Sequence, residues 1–295
     1  MTEQLLFEKT FDLLDKTGLN WTVNKLPLFS GTGLKTQSFG IFRNDNEDWL
    51  GTVGNRYEIM QNKDLAETLV KAAEGIDIKM DRGGMLGRGE KVFLQAELPD
   101  EYIGKSNVKR LITALSSHDG SSSIGFGSSN TVVVCQNTFY RAYGELQKFR
   151  HTESAARRIE LAMHDLRVTM NYDDRLMTNF KKMADVQLED DIVARVMKKI
   201  FDVDMDKDTK DLSTRKQNQI RALGISTQKS QYEQGKTVWA LFNGVTHYTT
   251  HVATKPENRQ EYIMTGGGYK TNNIAFDTIM KWIEEREEDK VLVTV

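Results

Sequence analysis

The sequence predicts an α+β fold: an antiparallel β-meander with one or two helices in the N-terminal half, and a mainly helical C-terminal half. Short segments rich in β-branched and aromatic residues, separated by turn residues, occupy the chain up to about residue 150. A run without Pro or Gly then covers residues 153–187. Because the strands precede the helices, the order of elements favours α+β over a parallel α/β architecture.

Two helices are expected within the first hundred residues. Apolar residues at helical spacing over 5–14 predict an amphipathic helix that ends at Gly18. A second helix is predicted over 62–74, with Asn62 as its N-cap and one apolar face.

Strands are predicted wherever apolar residues alternate or form short β-branched runs between turn residues. These segments are 38–42, 49–53, 91–98, 109–115, 123–126 and 131–135. The glycine-rich stretch 82–89 is interpreted as a hairpin connection with basic tips, and ligand binding is its alternative. The polar loop 116–122 connects two of the later strands.

Helices dominate the second half of the chain. Helical spacing of apolar residues predicts them at 153–187, 190–201, 214–223, 237–252 and 273–286. We therefore expect a β-rich α+β domain over 1–152 and a helical region over 153–295 that packs on it or extends it.

Composition excludes several classes of protein. The chain has 295 residues, 40 Lys and Arg against 42 Asp and Glu, a formal net charge of −2, and a single cysteine, Cys135. One cysteine rules out a disulfide framework and a multi-cysteine zinc site. No basic and apolar leader and no membrane-spanning run is visible, so we expect a cytoplasmic protein without membrane association and without a cofactor.

Catalytic chemistry has two weak candidates. Cys135 follows a run of valines, which is typical of a buried thiol. His118 and Asp119 share one loop with several serines, but adjacent loop residues rarely reach triad geometry, so a self-capping turn is favoured. An enzyme acting on nucleotide or nucleic acid through this loop is the weakest of the functional hypotheses.

A metal site would have to use the histidine pair at His247 and His251. Their i, i+4 spacing places them on one helix face, but the residue next to His247 is Tyr248 instead of the glutamate of a zinc-protease motif. We therefore predict no metal. The glycines Gly266–Gly268 indicate a hinge or a close backbone approach to a partner or phosphate.

Aromatic and basic residues alternate where the predicted sheet gives way to helices. Cations that follow phosphates and rings that stack on bases are what single-stranded nucleic acid requires. The structural alternative is that Phe139 and Tyr143 are core residues and that the arginines lie on a solvated helix face. The candidate contacts are Arg56, Tyr57, Lys109, Arg110, Tyr140, Arg141, Lys148, Arg150, Arg157 and Arg158, and a candidate phosphate loop holds Ser117, His118, Ser121 and Ser122.

Several segments in order along the chain resemble signatures of the phage/plasmid-like protein family, a domain family of unassigned function. They are Gly51–Asn62, Ser117–Ser123, Val133–Thr138 with Arg150–Thr152, Thr237–Tyr248 with His251, and Gly266–Lys270. The resemblance implies a phage or mobile-element setting. Through a more distant similarity to Rad-fifty-two-like single-strand annealing proteins, it also implies oligomeric rings that hold single-stranded DNA.

The leading hypothesis is a phage-encoded single-stranded DNA-binding and annealing protein of the host cytoplasm. It would act in recombination or replication as a homo-oligomer, such as a ring, without catalysing a chemical step. The alternative is an anti-restriction or anti-defence protein that binds a host protein, with which the balanced charge agrees equally well. A second phage protein is also among the expected partners.

Overall fold

A computed structural model describes residues 2–74, 78–122, 124–132, 138–142, 155–203 and 212–293. It confirms the α+β class, with antiparallel sheets in the N-terminal half and a mostly helical C-terminal half. The chain divides into two compact units. Unit 1 comprises Met1–Leu98, Leu111–Ser128 and Ala142–Tyr172, and unit 2 comprises Pro99–Arg110, Ser129–Arg141 and Asp173–Val295. The predicted boundary between residues 152 and 153 lies outside the described residues.

Within the part of the chain that the structure describes, eight strands form two sheets. The first sheet has the order β1-β2-β3, with β1 at Val23–Phe29, β2 at Lys35–Arg43 and β3 at Trp49–Gly54, all antiparallel. The second has the order β4-β5-β6-β7-β8. Its strands are β4 at Lys79–Leu86, β5 at Lys91–Ile103, β6 at Ser106–Ser117, β7 at Gly125–Val132 and β8 at Thr138–Ala142.

Eight α-helices complete the described chain, with a π-helical turn at Tyr248–Val252 and a 3-10 turn at Pro256–Asn258. They are α1 at Glu3–Thr17, α2 at Asn62–Ala72, α3 at Ala155–Asp185, α4 at Asp190–Phe201, α5 at Thr214–Gln234, α6 at Val238–His247, α7 at Arg259–Met264 and α8 at Gly267–Val293. Within the described residues, none of the helices combines the length and the apolar composition needed to cross a bilayer.

Local chemistry explains the ends of the first two helices. The Thr2 side chain caps α1 by accepting from the Leu5 amide, and Gly18 closes the helix in the left-handed conformation at φ 67°. The N-cap of α2 is Gln61, not Asn62 as predicted. Asn62 is instead buried, and its Nδ2 donates to the carbonyl oxygens of Leu19 and Trp21 at 3.1 Å each.

Two sequence predictions need correction, one about the glycine-rich stretch 82–89 and one about the strands after the loop 116–122. Residues 82–86 belong to strand β4, and the turn begins at Gly87. At Gly83 a Cβ atom would lie 2.6 Å from the Phe93 carbonyl oxygen of the neighbouring strand, so close strand packing accounts for that glycine. Among the described residues, the strands predicted at 123–126 and 131–135 are parts of one strand, β7, over Gly125–Val132, while residues 123 and 133–135 lie outside the described residues.

Each unit has its own apolar core. In unit 1 the buried side chains come from α1, α2 and the strands, with Leu13, Ile41 and Leu69 among the most deeply buried. In unit 2 the core is helical and aromatic, and Phe180 packs against Trp239, Phe242 and Phe276 with ring centroids 4.9–6.0 Å apart. Burial of this apolar area provides the main stabilisation of each unit.

Candidate nucleic-acid interface

The described residues cover only part of the basic and aromatic surface that the sequence predicts. Lys148 and Arg150 lie outside them. For four other candidates the structure describes the backbone but not the side chain. Tyr140 and Arg141 are on β8, and Arg157 and Arg158 are near the start of α3.

The loop after β6 closes on itself. The Ser117 hydroxyl donates to the Ser122 carbonyl oxygen at 2.5 Å and accepts from the Ser122 amide at 3.0 Å. The Ser121 amide donates to Asp119 Oδ1 at 2.9 Å. The Ser117 hydroxyl and the Ser121 and Ser122 amides are thus used within the turn, while the buried Ser122 hydroxyl has no hydrogen-bond partner among the described residues. This is the self-capping turn that the sequence favours.

His118 is a structural side chain of unit 1. It is 1% exposed. Its Nε2 lies 2.9 Å from Asn62 Oδ1, and its ring meets Trp21 edge-on with centroids 5.4 Å apart. A substrate in solvent has no access to this imidazole in the structure, so the enzymatic hypothesis receives no support from it.

Tyr57 likewise belongs to the interior of unit 1. Its hydroxyl donates to the Ser117 carbonyl oxygen at 2.7 Å, and its ring packs against the core. Burial raises the pKa of Tyr57, and the neighbouring Asp119 raises it further. The ring is therefore held by the fold, whereas Arg56 next to it is exposed in the turn after β3.

Arg110 on β6 is neutralised within unit 2. Its Nε donates to Asp173 Oδ2 at 2.6 Å, it pairs with Asp174, and Glu101 lies 3.6 Å away. Burial alone would lower the pKa of Arg110, but Asp173 and Asp174 outweigh it and raise that pKa. The predicted phosphate contact is thus already satisfied by carboxylates. Lys109, its neighbour on the same strand, is half-buried.

A different element, α5, presents an exposed polar face. Its buried side consists of Leu223, Ser226, Thr227 and Ser230. Side chains three and four residues apart share a face of a helix. On the side opposite the buried one, this spacing places a single exposed row of Arg221, Ile225, Gln228, Lys229 and Tyr232. Over its 21 residues, α5 is about 30 Å long.

The charge on this face is of one sign. Between residues 212 and 232 the chain has four basic residues, Arg215, Lys216, Arg221 and Lys229, and no acidic residue. Arg215 and Arg221 are exposed, and Tyr232 is 94% exposed. We define the α5 face as the row Arg221, Ile225, Gln228, Lys229 and Tyr232 together with Arg215, which is exposed in the first turn of α5 to one side of that row.

The α5 face is not predicted from the sequence, because helical spacing of apolar residues indicates a helix only over 214–223. The rest of α5 buries Ser226, Thr227 and Ser230 where an amphipathic pattern would have apolar residues. The absence of acidic residues over 212–232, in a chain with 42 of them, was the available signal.

The histidine pair borders the α5 face. His247 Nδ1 lies 3.1 Å from Ser226 Oγ, and its Nε2 lies 3.4 Å from Lys229 Nζ. Because an ammonium group can only donate, Nε2 is the acceptor and Nδ1 carries the proton. Burial, Lys229 and His251 all lower the pKa of His247, which favours its neutral form. Among the described residues, no third ligand completes a metal cluster with the pair.

The glycines at 266–268 approach a side chain of the same chain. Gly267 begins α8, and a Cβ atom at Gly268 would lie 2.7 Å from the Tyr262 ring. The group that approaches these glycines is thus Tyr262 of the same chain, and a hinge or an approach to a partner or phosphate stays a prediction.

A family model described as "Domain of unknown function (DUF932)" matches residues 49–274, which is more than half of the chain. The chain belongs to the DUF932 family. The matched part of the DUF932 domain includes the whole α5 face and both histidines, and it begins after α1, β1 and β2. No curated protein and no solved structure gives a significant match to the chain.

Proposed function

We propose that this DUF932 protein binds single-stranded DNA and promotes strand annealing. Within the described residues, the proposed contact surface is the α5 face. The phage setting and the oligomeric assembly belong to the same proposal and rest on the family resemblance. Annealing requires that strands be held extended with their bases exposed, and it needs no general acid or base.

The α5 face supports this proposal because it combines cations with an exposed ring. Arg215, Arg221 and Lys229 are suited to phosphates, and Tyr232 presents a ring on which a base can stack. The amide of Gln228 adds a hydrogen-bonding group between them. The observation that carries the proposal is the acid-free stretch 212–232 on an otherwise balanced chain.

Fluorescence anisotropy of a labelled oligonucleotide tests the proposal. We expect Arg221→Ala combined with Lys229→Ala to weaken binding at low salt by about tenfold, since two phosphate contacts are lost. Tyr232→Ala is expected to cost about 1–3 kcal/mol of binding free energy by removing one stacked base. In a fluorescence assay of complementary strands, the same variants should anneal more slowly than the unmodified protein.

Lys281→Ala is the matched control, because the Lys281 side chain is 78% exposed on α8 and lies outside the α5 face. It should leave oligonucleotide affinity unchanged. Equal loss of affinity in Lys281→Ala and in the α5 variants would contradict the assignment of the face, and absence of oligonucleotide binding by the unmodified protein would contradict the function.

Docking of a host protein on the same face is the second candidate function. It is favoured by Ile225, which is 60% exposed and lies on the same helix face two turns before Tyr232, since exposed apolar and aromatic side chains are typical of interface centres. Under this alternative, the uncharged variant Ile225→Ser abolishes a pulldown from nuclease-treated host lysate. Under the nucleic-acid proposal, the same variant retains oligonucleotide binding, because Arg221, Lys229 and Tyr232 stay in place.

A further inference from the structure

A cleft of about 220 Å³ lies in unit 1 beside α1. Its walls are mainly aromatic and apolar, from Phe7, Phe11 and Leu14 on α1 and from Trp21 on the segment before β1. Asn44 and Lys63 provide polar groups at its edge. A small apolar cleft with a few polar groups is the usual form of a site for a small ligand.

The aromatic side chains of this cleft are arranged for contact with a flat ring. Phe7 and Phe11 are stacked with centroids 6.3 Å apart and planes 19° apart. They are 57% and 49% exposed, which is unusual for a pair of phenylalanines on one helix of a folded protein. Stacking on a ligand ring would remove this apolar area from water.

Thr10 supplies the observation that points to a ligand. It lines the cleft and is only 2% exposed, yet within the described residues its hydroxyl has no hydrogen-bond partner. Several other helical threonines, namely Thr17, Thr68, Thr178 and Thr278, donate to the carbonyl oxygen four residues earlier, whereas the hydroxyl of Thr227 on α5, which is packed against α6, also has no partner among the described residues. A buried hydroxyl without a partner costs stability, so an orphaned one is suited to a polar group that arrives with a ligand.

Lys63 adds a positive charge to the edge of the cleft. Its Nζ lies 6.0 Å from the centroid of the Phe7 ring, and its side chain is 55% exposed. Among the described residues its carboxylate neighbour is Glu67, 3.6 Å away in an i, i+4 pair in which the Lys63 side chain is 55% exposed, which is a weak interaction. The ammonium group can therefore turn to an anion at the cleft.

We infer that the α1 cleft is a nucleotide-binding site that takes the base of a 5′-mononucleotide. The base provides a flat ring for Phe7 and Phe11 and an in-plane polar group for the Thr10 hydroxyl. The phosphate provides an anion for Lys63. A base at the end of a DNA strand has the same chemistry as the base of a free mononucleotide, and competition experiments distinguish these two ligands. The site is in unit 1 and does not depend on the α5 face.

Isothermal titration calorimetry of the full chain with each of the four deoxynucleoside 5′-monophosphates tests this site. We expect binding to the unmodified protein, and about a tenfold weaker binding to Thr10→Val, which keeps the shape of the side chain and removes its hydroxyl. Because Thr10 has no partner in the described residues, Thr10→Val should not lower the melting temperature. Lys63→Ala should weaken binding of the monophosphates but not of the matching nucleosides.

Thr17→Val is the matched control. Thr17 is on the same helix outside the cleft, and its hydroxyl already donates to the Leu13 carbonyl oxygen at 2.7 Å. This variant should keep the affinity of the unmodified protein. Equal affinity of Thr10→Val and the unmodified protein would overturn the site. So would the absence of mononucleotide binding, or a change from dimer to monomer on Phe7→Ser, since a second copy would then cover the cleft.

Competition by oligonucleotides distinguishes a free mononucleotide from the end of a DNA strand as the ligand of the cleft. It also distinguishes failure of the cleft assignment from failure of the proposed function. A 5′-phosphorylated oligonucleotide that competes with the mononucleotide assigns the cleft to strand ends, and failure to compete assigns it to the monomeric ligand. Arg221→Ala combined with Lys229→Ala should leave mononucleotide binding intact. If oligonucleotide binding is absent but mononucleotide binding persists, the proposed function fails and the cleft assignment stands.

Discussion

Two buried polar pairs hold side chains that water would otherwise solvate. In unit 1, His118 contacts Asn62, and in unit 2, Arg110 contacts Asp173. Asp173 is fully buried, and Asn130 Nδ2 also donates to its Oδ1 at 3.2 Å. Burying a charge is unfavourable unless the partner is present with good geometry. Each pair therefore stabilises its unit only as long as both members remain.

The buried carboxylate of Asp173 leads to a stability prediction at the residue scale. Asp173→Ala leaves the Arg110 guanidinium, 12% exposed, without its one fully buried partner among the described residues. We expect a loss of about 3 kcal/mol in the free energy of unfolding. Urea unfolding followed by circular dichroism measures it.

Asp174→Ala is the control for this prediction, because Asp174 pairs with the same arginine but is 68% exposed. It should cost less than about 1 kcal/mol. If both variants lose the same stability, burial does not govern the strength of this ion pair.

Helices α5 and α6 approach each other closely at Gly244. A Cβ atom at Gly244 of α6 would lie 2.6 Å from the Thr227 Cα atom of α5, so a glycine is needed at this contact. The small buried residues Ser226, Thr227 and Ser230 on α5 fit the same close approach. This packing sets which side of α5 faces solvent, and hence where the α5 face lies.

A pair of glycine substitutions tests this packing. Gly244→Ala should destabilise the protein by about 1–3 kcal/mol, because backbone atoms of α5 cannot yield easily. Gly224→Ala, on α5, meets nothing within 4 Å and should instead stabilise it by up to about 1 kcal/mol through helix propensity. Thermal unfolding of both variants gives the comparison, and the same sign for both would contradict the close contact.

On the scale of the whole molecule, a net charge of −2 conceals local charge separation. Carboxylates neutralise Arg110, and Arg43 pairs with Asp45, whereas the α5 face has no acidic residue. A protein of this kind should bind nucleic acid through a confined surface and not through a general positive field.

The salt dependence of oligonucleotide binding checks this view. With Arg215, Arg221 and Lys229 as the phosphate contacts, the logarithm of the association constant should fall with the logarithm of salt concentration at a slope of about −2. Arg110→Met combined with Asp173→Asn removes both charges of the buried pair and should leave the slope unchanged, since the charge of Arg110 is already paired within the protein. A slope that becomes shallower in this double variant would return Arg110 to the binding surface.

The bounds of the helices show where local sequence patterns predict the structure correctly and where they do not. Helix α4 is found at the predicted residues, 190–201, because its apolar side chains follow a regular helical period. Helix α5 extends to Gln234 instead of 223, since its second half buries hydroxyl groups that a hydropathy pattern scores as polar. Helix α8 begins at Gly267 instead of near 273, because Tyr262 packs on glycines that propensity alone would exclude from a helix.

By itself the sequence determined the fold class, most strands and helices, the family resemblance and the self-capping loop after β6, because these depend on side-chain type and spacing along the chain. Only the tertiary structure decided which polar side chains are available to a ligand. It placed Tyr57, Arg110 and His118 in internal contacts and left Arg221, Lys229 and Tyr232 at the surface. The physical reason is that burial and ion pairing depend on residues distant in sequence: Arg110 and Asp173 are 63 positions apart.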